Sequence, residues 1–285
     1  MMKIIKYITL VSITSLLFIS CSEDFFNKPI DLDIDDHTSK LAGTAFLGGD
    51  EDTDRVLVSY SIGPFDSNVT GNQVIENATV TLSGNNEVVT FAPMAQYDFF
   101  LANNPLNFVP NKEYTLTVEV PNYETISAKQ VYPETVEILE ASINENTFKI
   151  KFNDNANTQD FYLLRLYKKD LNGGDFFYNK WIEPFGTQTK YSGFCNECVI
   201  FNDDTFNGDT NVEIVVSHGY YNPDTTYKAV LFHVTEDFYK YDVTLDNSNN
   251  AEDNPFVEPV ILHRNFENGY GVFTLINKSE LIFNE

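Results

Sequence analysis

The side chains best suited to covalent chemistry in this sequence are its three cysteines. Cys21 stands directly behind a short apolar run, which is where secreted proteins can be acylated on a thiol. Cys195 and Cys198 form a Cys-x-x-Cys pair, which can close a small disulfide or contribute two ligands to a metal. The cysteines therefore predict a lipid attachment site near the start of the chain and a local cross-link or metal site further along.

Residues 1–20 have the pattern of a secretory signal peptide with a lipoprotein cleavage site. Lys3 and Lys6 precede the apolar run, and Leu17–Cys21 ends in a serine followed by the cysteine. As a helix the apolar run would reach only about 20 Å, against about 30 Å for the bilayer core. We expect cleavage before Cys21, whose acyl chains then anchor the protein to membrane lipid. The alternative is an ordinary signal peptide followed by a chance cysteine.

The residues behind the cysteine carry negative charge. Ser22, Glu23 and Asp24 resemble the surface-export signal of Bacteroidota lipoproteins, in which a serine and acidic residues follow the lipidated cysteine. The resemblance implies an outer-membrane protein that is lipid-anchored and faces the cell exterior. Residues 21–39 are otherwise typical of an acidic tether, and a purely solvated tether is the other interpretation of the same cluster.

A disulfide is the interpretation we favour for Cys195 and Cys198. A zinc site would need two more ligands, and His218, His233 and His263 are scattered without ligand spacing. The motif lies among strand-like segments rather than at the start of a helix, which does not fit a thioredoxin-type redox site. Since an extracytoplasmic compartment is oxidising, we expect a disulfide and assign no metal or other cofactor.

Two acidic segments, 31–36 and 50–54, have the composition of calcium-binding loops. Counted from Asp31, the sixth and twelfth positions of an EF-hand loop would be Asp36 and Ala42, where the template needs glycine and glutamate. The match therefore fails. A looser calcium site at 31–36 or at 50–54 stays open.

The charge and the motifs exclude several functional classes. The formal net charge is −24, with 42 acidic against 18 basic residues, so a nucleic-acid partner is not expected. The sequence contains no Gly-x-Ser-x-Gly, His-Glu-x-x-His, P-loop or Gly-x-Gly-x-x-Gly motif. We therefore expect a protein that is not an enzyme. Carboxylates that folding brings together in space stay open as a catalytic pair, because sequence spacing cannot reveal them.

Alternating apolar residues and regularly spaced turns predict an all-β fold. An N-terminal immunoglobulin-like β-sandwich is expected over 40–133, and a second antiparallel β-sandwich or open barrel over 134–285, with the joint at Tyr132-Pro133-Glu134. The predicted strands of the first half are 41–47, 55–62, 78–82, 87–91, 113–120 and 125–132. Those of the second half are 136–143, 147–152, 161–168, 176–182, 199–201, 212–217 and 227–234.

One short helix is predicted in the second half. Thr235 can cap its N-terminus, and Glu236 and Asp237 suit the positive end of the helix dipole. The polar segment Asn247–Asp253 is expected to be a loop that ends the helix.

The C-terminal tail carries a resemblance. The segment Asn254–Pro259 reads Asn-Pro-Phe-Val-Glu-Pro, and Asn265–Phe273 reads Asn-Phe-Glu-Asn-Gly-Tyr-Gly-Val-Phe. Together they resemble the C-terminal signature of a Bacteroidota outer-membrane lipoprotein family of unknown function. The resemblance implies a surface lipoprotein that associates with a TonB-dependent outer-membrane transporter as a lid, receptor or accessory subunit. On physical grounds Asn268-Gly269 and Gly271 are expected to be structural, supplying positive φ or close backbone approach, as in a turn that enters the last strand of the chain.

Aromatic residues suggest a second functional hypothesis, an independent surface protein that binds a glycan or a peptide. Trp181 and Tyr178 are the weak candidates for an exposed stacking platform. Packing of aromatic side chains into the cores of β-domains is the competing explanation.

Overall fold

The structure is a computed structural model. It describes residues 37–49, 54–63, 75–94, 97–169, 175–178, 182–195, 197–219, 221–252 and 260–284. The segment from Thr38 to Glu285 forms one compact unit. Among the described residues, no helix is both long enough and apolar enough to cross a membrane.

The chain is all-β, as predicted, and its described residues form two sheets and one helix. The strands of the first half are β1 (Leu41–Leu47), β2 (Arg55–Tyr60), β3 (Thr79–Gly84), β4 (Glu87–Met94), β5 (Phe99–Ala102), β6 (Glu113–Glu119) and β7 (Ile126–Val131). The second half begins with β8 (Ile138–Ile143), β9 (Thr147–Phe152), β10 (Phe161–Lys169), β11 (Phe176–Tyr178), β12 (Ile182–Pro184) and β13 (Lys190–Tyr191). It continues with β14 (Cys198–Asn202), β15 (Val212–His218), β16 (Tyr227–Val234), helix α1 (Glu236–Glu252) and β17 (Tyr270–Phe283).

One large sheet runs through both halves of the sequence. Its order is β13-β14-β10-β16-β17-β1-β2-β5-β4-β3-β6-β7, with β11 paired to β10. The halves are joined by the parallel pairing of β1 with β17, in register from Ala42 opposite Tyr270 to Leu47 opposite Leu275. The second sheet has four strands in the order β12-β15-β9-β8. The residue boundary predicted between 133 and 134 stays a prediction.

The core of the first half follows from the period of two along each strand. In β1 every second residue is buried, beginning with Leu41, and β6 alternates in the same way around Leu116. The last segment of the chain completes this core, because Phe266, Phe273 and Leu275 belong to the same buried cluster. The first half therefore depends on residues that lie more than half the chain away.

The second half has three layers, with β10 in the middle one. Leu164 and Leu166 pack toward the four-stranded sheet, where Phe148 and Ile150 of β9 lie in the same cluster. Their neighbours on the opposite face of β10 pack with Phe238 of α1. Strand β10 is buried on both faces because a sheet covers one side and the helix covers the other.

Two predicted elements are wrong. The polar segment Asn247–Asp253 does not end the helix, since α1 continues to Glu252. Asn, Ser and Asp are only weakly unfavourable in helices, and neither Gly nor Pro occurs between Thr235 and Pro255. The predicted strand 176–182 is two short strands in different sheets, because β11 pairs with β10 and β12 with β15.

Two described strands were missed. Strands β5 and β13 have only four and two residues, too few for an alternating pattern to be recognised.

We expect Gly271→Ala to lower the free energy of unfolding by at least about 2 kcal/mol. Gly271 has φ +97, and a Cβ there would overlap the carbonyl oxygen of Gly43 on the paired strand β1. Gly186→Ala is the matched control, because Gly186 has φ +75 and open space around it. The control should lose only about 1 kcal/mol, the cost of the left-handed backbone. Urea denaturation measures both, and equal losses would show that the β1–β17 contact is not tight.

Candidate functional site

A cleft of about 640 Å³, lined by both polar and apolar residues, lies beside the N-terminus of α1. Its walls are the end of β7 with the linker that follows, the loop before β10, and the turn from β16 into α1. This volume is within the range of small-molecule sites. The lining side chains that matter most are Gln130, Glu134, Thr158, Asp160, His233 and Asp237.

The helix that borders the cleft begins as predicted. The hydroxyl of Thr235 accepts a hydrogen bond from the backbone N–H of Phe238 at 3.4 Å. The carbonyl of Thr235 accepts the bond from Tyr239 N–H, 3.2 Å away, that opens the helix. Glu236 and Asp237 occupy the first turn. The cap fixes where the Asp237 carboxylate is placed.

Asp237 joins three parts of the fold. Its carboxylate accepts hydrogen bonds from Gln130 on β7, from His263 Nε2 at 2.6 Å and from Asn265 Nδ2 at 3.0 Å. His263 and Asn265 belong to the segment that leads into β17, so we call this group the Asp237 junction. One carboxylate thus holds the edge of the large sheet, the helix and the C-terminal tail together.

The hydrogen bonds of the junction stabilise the ionised form of Asp237. Burial by itself would raise the pKa of this carboxyl, but the bonds from Asn265, His263 and Gln130 outweigh burial and hold the pKa below its usual value. Asp237 therefore stays a carboxylate, and its junction is intact at neutral pH.

The tail motif is structural in the described residues. The side chain of Asn265 donates to the carbonyl of Phe273 at 2.8 Å and accepts from its N–H at 2.9 Å. Glu267 N–H donates to Ser127 of β7 at 2.8 Å. The positive φ expected of the tail is confirmed at Asn268, with φ +63, and at Gly271. These contacts lock the tail against β7 and β17.

A histidine–aspartate pair forms the opposite wall of the cleft. His233 Nδ1 lies 2.8 Å from the carbonyl oxygen of Glu134, and Nε2 lies 3.1 Å from Asp160 Oδ1. Both ring nitrogens therefore lie within hydrogen-bond distance of an oxygen, which fixes the orientation of the ring. Sequence spacing did not reveal this pair, because His233 is 73 residues from Asp160.

Asp160 also belongs to a compact group of acids that the sequence analysis did not identify. Asp154, Asp160 and Asp203 are buried, and one carboxylate oxygen from each lies within 4.8 Å of the others. Burial raises the pKa of Asp203, and the charges of Asp154 and Asp160 raise it further, against the hydrogen bond from Asp160 N–H. We call these three residues the aspartate cluster.

The Cys-x-x-Cys segment is attached to α1 through a buried acid. In the structure a disulfide joins Cys195 and Cys198, and the oxidation state in the cell stays a prediction. Asp242 accepts hydrogen bonds from Ser192 Oγ and from the backbone N–H of Phe194. Burial raises the pKa of Asp242 even though these bonds oppose it. The loop is therefore fixed to the helix independently of the disulfide.

Most of the site residues predicted from sequence lie outside the described part of the chain. They are Cys21, Ser22, Glu23, Asp24, Trp181, the loop 31–36, residues 50–53 and the motif 254–259. Tyr178 ends β11, but its side chain is not among those described. The stacking platform predicted at Trp181 and Tyr178 therefore stays a prediction. The cleft is lined by other residues.

We expect Asp237→Asn to lower the free energy of unfolding by about 2 kcal/mol at neutral pH. The amide keeps one acceptor oxygen and turns an N–H₂ toward the donors Gln130, His263 and Asn265. Glu236→Gln is the matched control from the same helical turn. Its exposed pair with Lys240 should change stability by less than about 0.5 kcal/mol.

The stabilising effect of Asp237 should also depend on pH, in a direction set by its lowered pKa. A folded pKa below the unfolded value means that the stabilisation by Asp237 is complete above the unfolded pKa of about 3.9 and is lost as pH falls through the lower folded pKa. Urea unfolding at about pH 7 and about pH 3 should show the wild-type advantage shrinking in acid. A difference between wild type and Asp237→Asn that is constant with pH would contradict this account.

Intact-mass measurement tests the disulfide. We expect the protein purified without reductant to be about 2 Da lighter than after reduction, the mass of the two hydrogens lost in forming the bond. The Cys195→Ser variant cannot form this disulfide, so the mass of its monomer should not change on reduction. That result would assign the mass difference of the wild type to the Cys195–Cys198 pair. An unchanged wild-type mass would mean that the thiols are free.

Comparison with protein-family models identifies a family for this chain. In the comparison with curated proteins, none matches this chain significantly. A family model described as Domain of unknown function (DUF4249) matches residues 27–282. This match covers both halves of the fold, the cleft and the C-terminal tail. The chain therefore belongs to the DUF4249 family of domains of unknown function.

Proposed function

We propose that this protein is a non-catalytic binding or assembly subunit of the bacterial outer membrane. It is anchored through acyl chains on Cys21, faces the cell exterior, and associates with a TonB-dependent transporter or another outer-membrane complex. The single observation that carries the proposal of binding is the open cleft beside the N-terminus of α1, in which polar and charged side chains converge.

The anchor is supported by the start of the sequence. Two basic residues, an apolar run too short for a bilayer and a small residue before Cys21 together fit a lipoprotein cleavage site. Ser22, Glu23 and Asp24 place acidic charge where it cannot favour contact with lipid headgroups, which suits a sorting signal. The proposed Bacteroidota origin rests on this cluster and on the tail motif.

The cleft is suited to binding because its polar groups are held in place before a ligand arrives. Asp237 is fixed by three hydrogen bonds, and the His233 ring is held at both nitrogens. Preorganised groups lose little conformational freedom on binding, which improves affinity for a complementary partner.

The same contacts argue for a non-catalytic role. A general base must have a free lone pair directed at the proton that it removes. The ring nitrogens of His233 lie against the carbonyl oxygen of Glu134 and the carboxylate of Asp160, while Asp237 Oδ2 accepts two hydrogen bonds and Oδ1 is directed at His263. These groups are therefore better placed to hold the cleft together than to transfer protons.

A second candidate is an independent surface protein that binds a glycan or a peptide. The volume and the polar lining of the cleft favour it, since donors and acceptors at its walls can match hydroxyl or amide groups. Under this alternative the protein needs no transporter partner.

Affinity purification from the native outer membrane distinguishes the two. We expect tagged wild-type protein, solubilised in detergent, to bring down a transporter barrel identified by mass spectrometry. A Cys21→Ser variant should leave the membrane fraction and lose that partner. Recovery of the wild type alone would contradict the subunit proposal and would lead to calorimetry against glycan and peptide panels.

Charge reversal tests whether the cleft is the contact surface. Lys129 lines the cleft and forms an exposed ion pair with Glu113 at 3.1 Å. Lys129→Glu should weaken recovery of the partner if the partner binds there, with little effect on stability. Lys149→Glu is the matched control, because Lys149 forms a similar exposed pair with Glu213 on the four-stranded sheet. Equal recovery with both variants would place the contact elsewhere.

A further inference from the structure

We propose that the aspartate cluster, Asp154, Asp160 and Asp203, is a binding site for a calcium ion. The three residues come from two loops, the one that joins β9 to β10 and the one that follows β14. Asp154 follows β9, Asp160 directly precedes β10 and Asp203 directly follows β14. Since β9 belongs to the four-stranded sheet and the other two strands to the large sheet, an ion held here would tie the two sheets together at one end.

The spacing of the carboxylates fits one shared cation. Oxygen ligands lie about 2.3–2.6 Å from Ca²⁺, so two oxygens on the same ion are at most about 5 Å apart. One oxygen from each of the three aspartates lies within 4.8 Å of the other two. The exposed fractions of the three residues are 9% for Asp154, 4% for Asp160 and 0% for Asp203, so this is an interior cluster.

An oxygen without a partner provides an independent indication of a ligand. Asp203 Oδ2 accepts a hydrogen bond from the N–H of Asp160 at 2.9 Å. Asp203 Oδ1 is buried and has no hydrogen-bond partner among the described residues. A buried carboxylate oxygen left unpaired is costly, and native proteins rarely retain one. A cation bound at Oδ1 would satisfy it.

The other carboxylate oxygens are oriented by neighbours and keep the capacity to bind a cation. Asp154 accepts from the hydroxyl of Tyr162 at 2.6 Å and from Gly208 N–H at 2.8 Å. Asp160 accepts from the hydroxyl of Thr158 at 3.0 Å. Each carboxylate oxygen has a second lone pair, and groups that hold metal ligands from behind in this way are typical of metal sites.

The charge of the cluster also calls for a cation. Three carboxylates lie together in the interior. Within the part of the chain that the structure describes, they form one ion pair, between Asp160 Oδ1 and His233 Nε2 at 3.1 Å. At most one positive charge therefore faces three negative ones. Burying uncompensated charge is strongly unfavourable, and a divalent ion removes most of the imbalance.

Calcium fits this set better than other common ions. The ligands are all carboxylate oxygens, which hard cations prefer, whereas zinc favours nitrogen and sulfur. Magnesium requires a regular octahedron and retains several waters, which an interior site accommodates poorly. The loop on the cleft side, with Thr158 and Asp160, gives an entry route from solvent. The loops 31–36 and 50–54, weighed from sequence, contain none of these ligands.

Calcium titration of the purified full chain tests the proposal. After treatment with a chelator, calorimetry and equilibrium dialysis should show one site for Ca²⁺ and weaker binding of Mg²⁺. Thermal unfolding should show stabilisation, because free calcium at 100 times its Kd raises the folded-to-unfolded ratio about 100-fold. Absence of both binding and stabilisation in the wild type would overturn the proposal and would mean that protons or water neutralise the cluster.

Variants assign the site. Asp203→Asn should abolish calcium binding and make the melting temperature independent of calcium. Asp204→Asn is the matched control, because Asp204 is the adjacent acid but is exposed and bonded to Gln159 and Asn202. It should bind calcium like the wild type. Loss of binding in Asp204→Asn with retention in Asp203→Asn would overturn the assignment.

A measurement on the wild type keeps the test valid if Asp203→Asn does not fold. Terbium ions bind at oxygen sites that accept calcium. A tyrosine close to the bound ion absorbs light and transfers the energy to terbium, which then emits. The hydroxyl of Tyr162 bonds directly to Asp154, so tyrosine excitation should give terbium emission that calcium displaces. Tyr162→Phe should weaken that emission several-fold. Emission that calcium does not displace would count against the site.

Discussion

The fold depends on the parallel pairing of its first described strand with its last. Strand β1 lies between β2 and β17, and β17 also pairs with β16, so one strand connects the sheets of both halves. The core of the first half receives Phe266 and Phe273 from the tail, and the Asp237 junction fastens the segment leading into β17. The cleft exists because this pairing brings the linker after β7 close to the start of α1.

Much of the fold could be predicted because most strands carry their own signal. The predicted limits of β1, β9 and β16 agree with the structure, since each has an apolar pattern bounded by turn residues. The split of 176–182 between two sheets could not be predicted, because pairing partners are a property of the tertiary structure. The extent of α1 was missed for a different reason, namely that Asn and Ser predict loops whenever packing is ignored.

The candidate site was harder to predict than the fold. Asp237 was predicted as an acid in the first turn of the helix, but its partner Gln130 is 107 residues away. The aspartate cluster brings together two loops, the one between β9 and β10 and the one after β14, and each acid looks like an ordinary turn residue in its own segment. Asn153-Asp154-Asn155, between the predicted strands 147–152 and 161–168, has the composition of an ordinary turn. Carboxylates that meet only in space leave no spacing pattern for a sequence to reveal.

Burial of β10 on both faces has a consequence for the chain before it folds. The segment Phe161–Tyr167 is apolar except for Arg165, and such segments readily form intermolecular β-structure when exposed. In the folded protein the Arg165 guanidinium lies 5.3 Å from the centre of the Phe232 ring. In an unfolded chain the same arginine, with Asp160 before the segment and Lys168 after it, acts as a charged gatekeeper against aggregation. Residues that organise the interior of the native state thus also protect the chain on its way there.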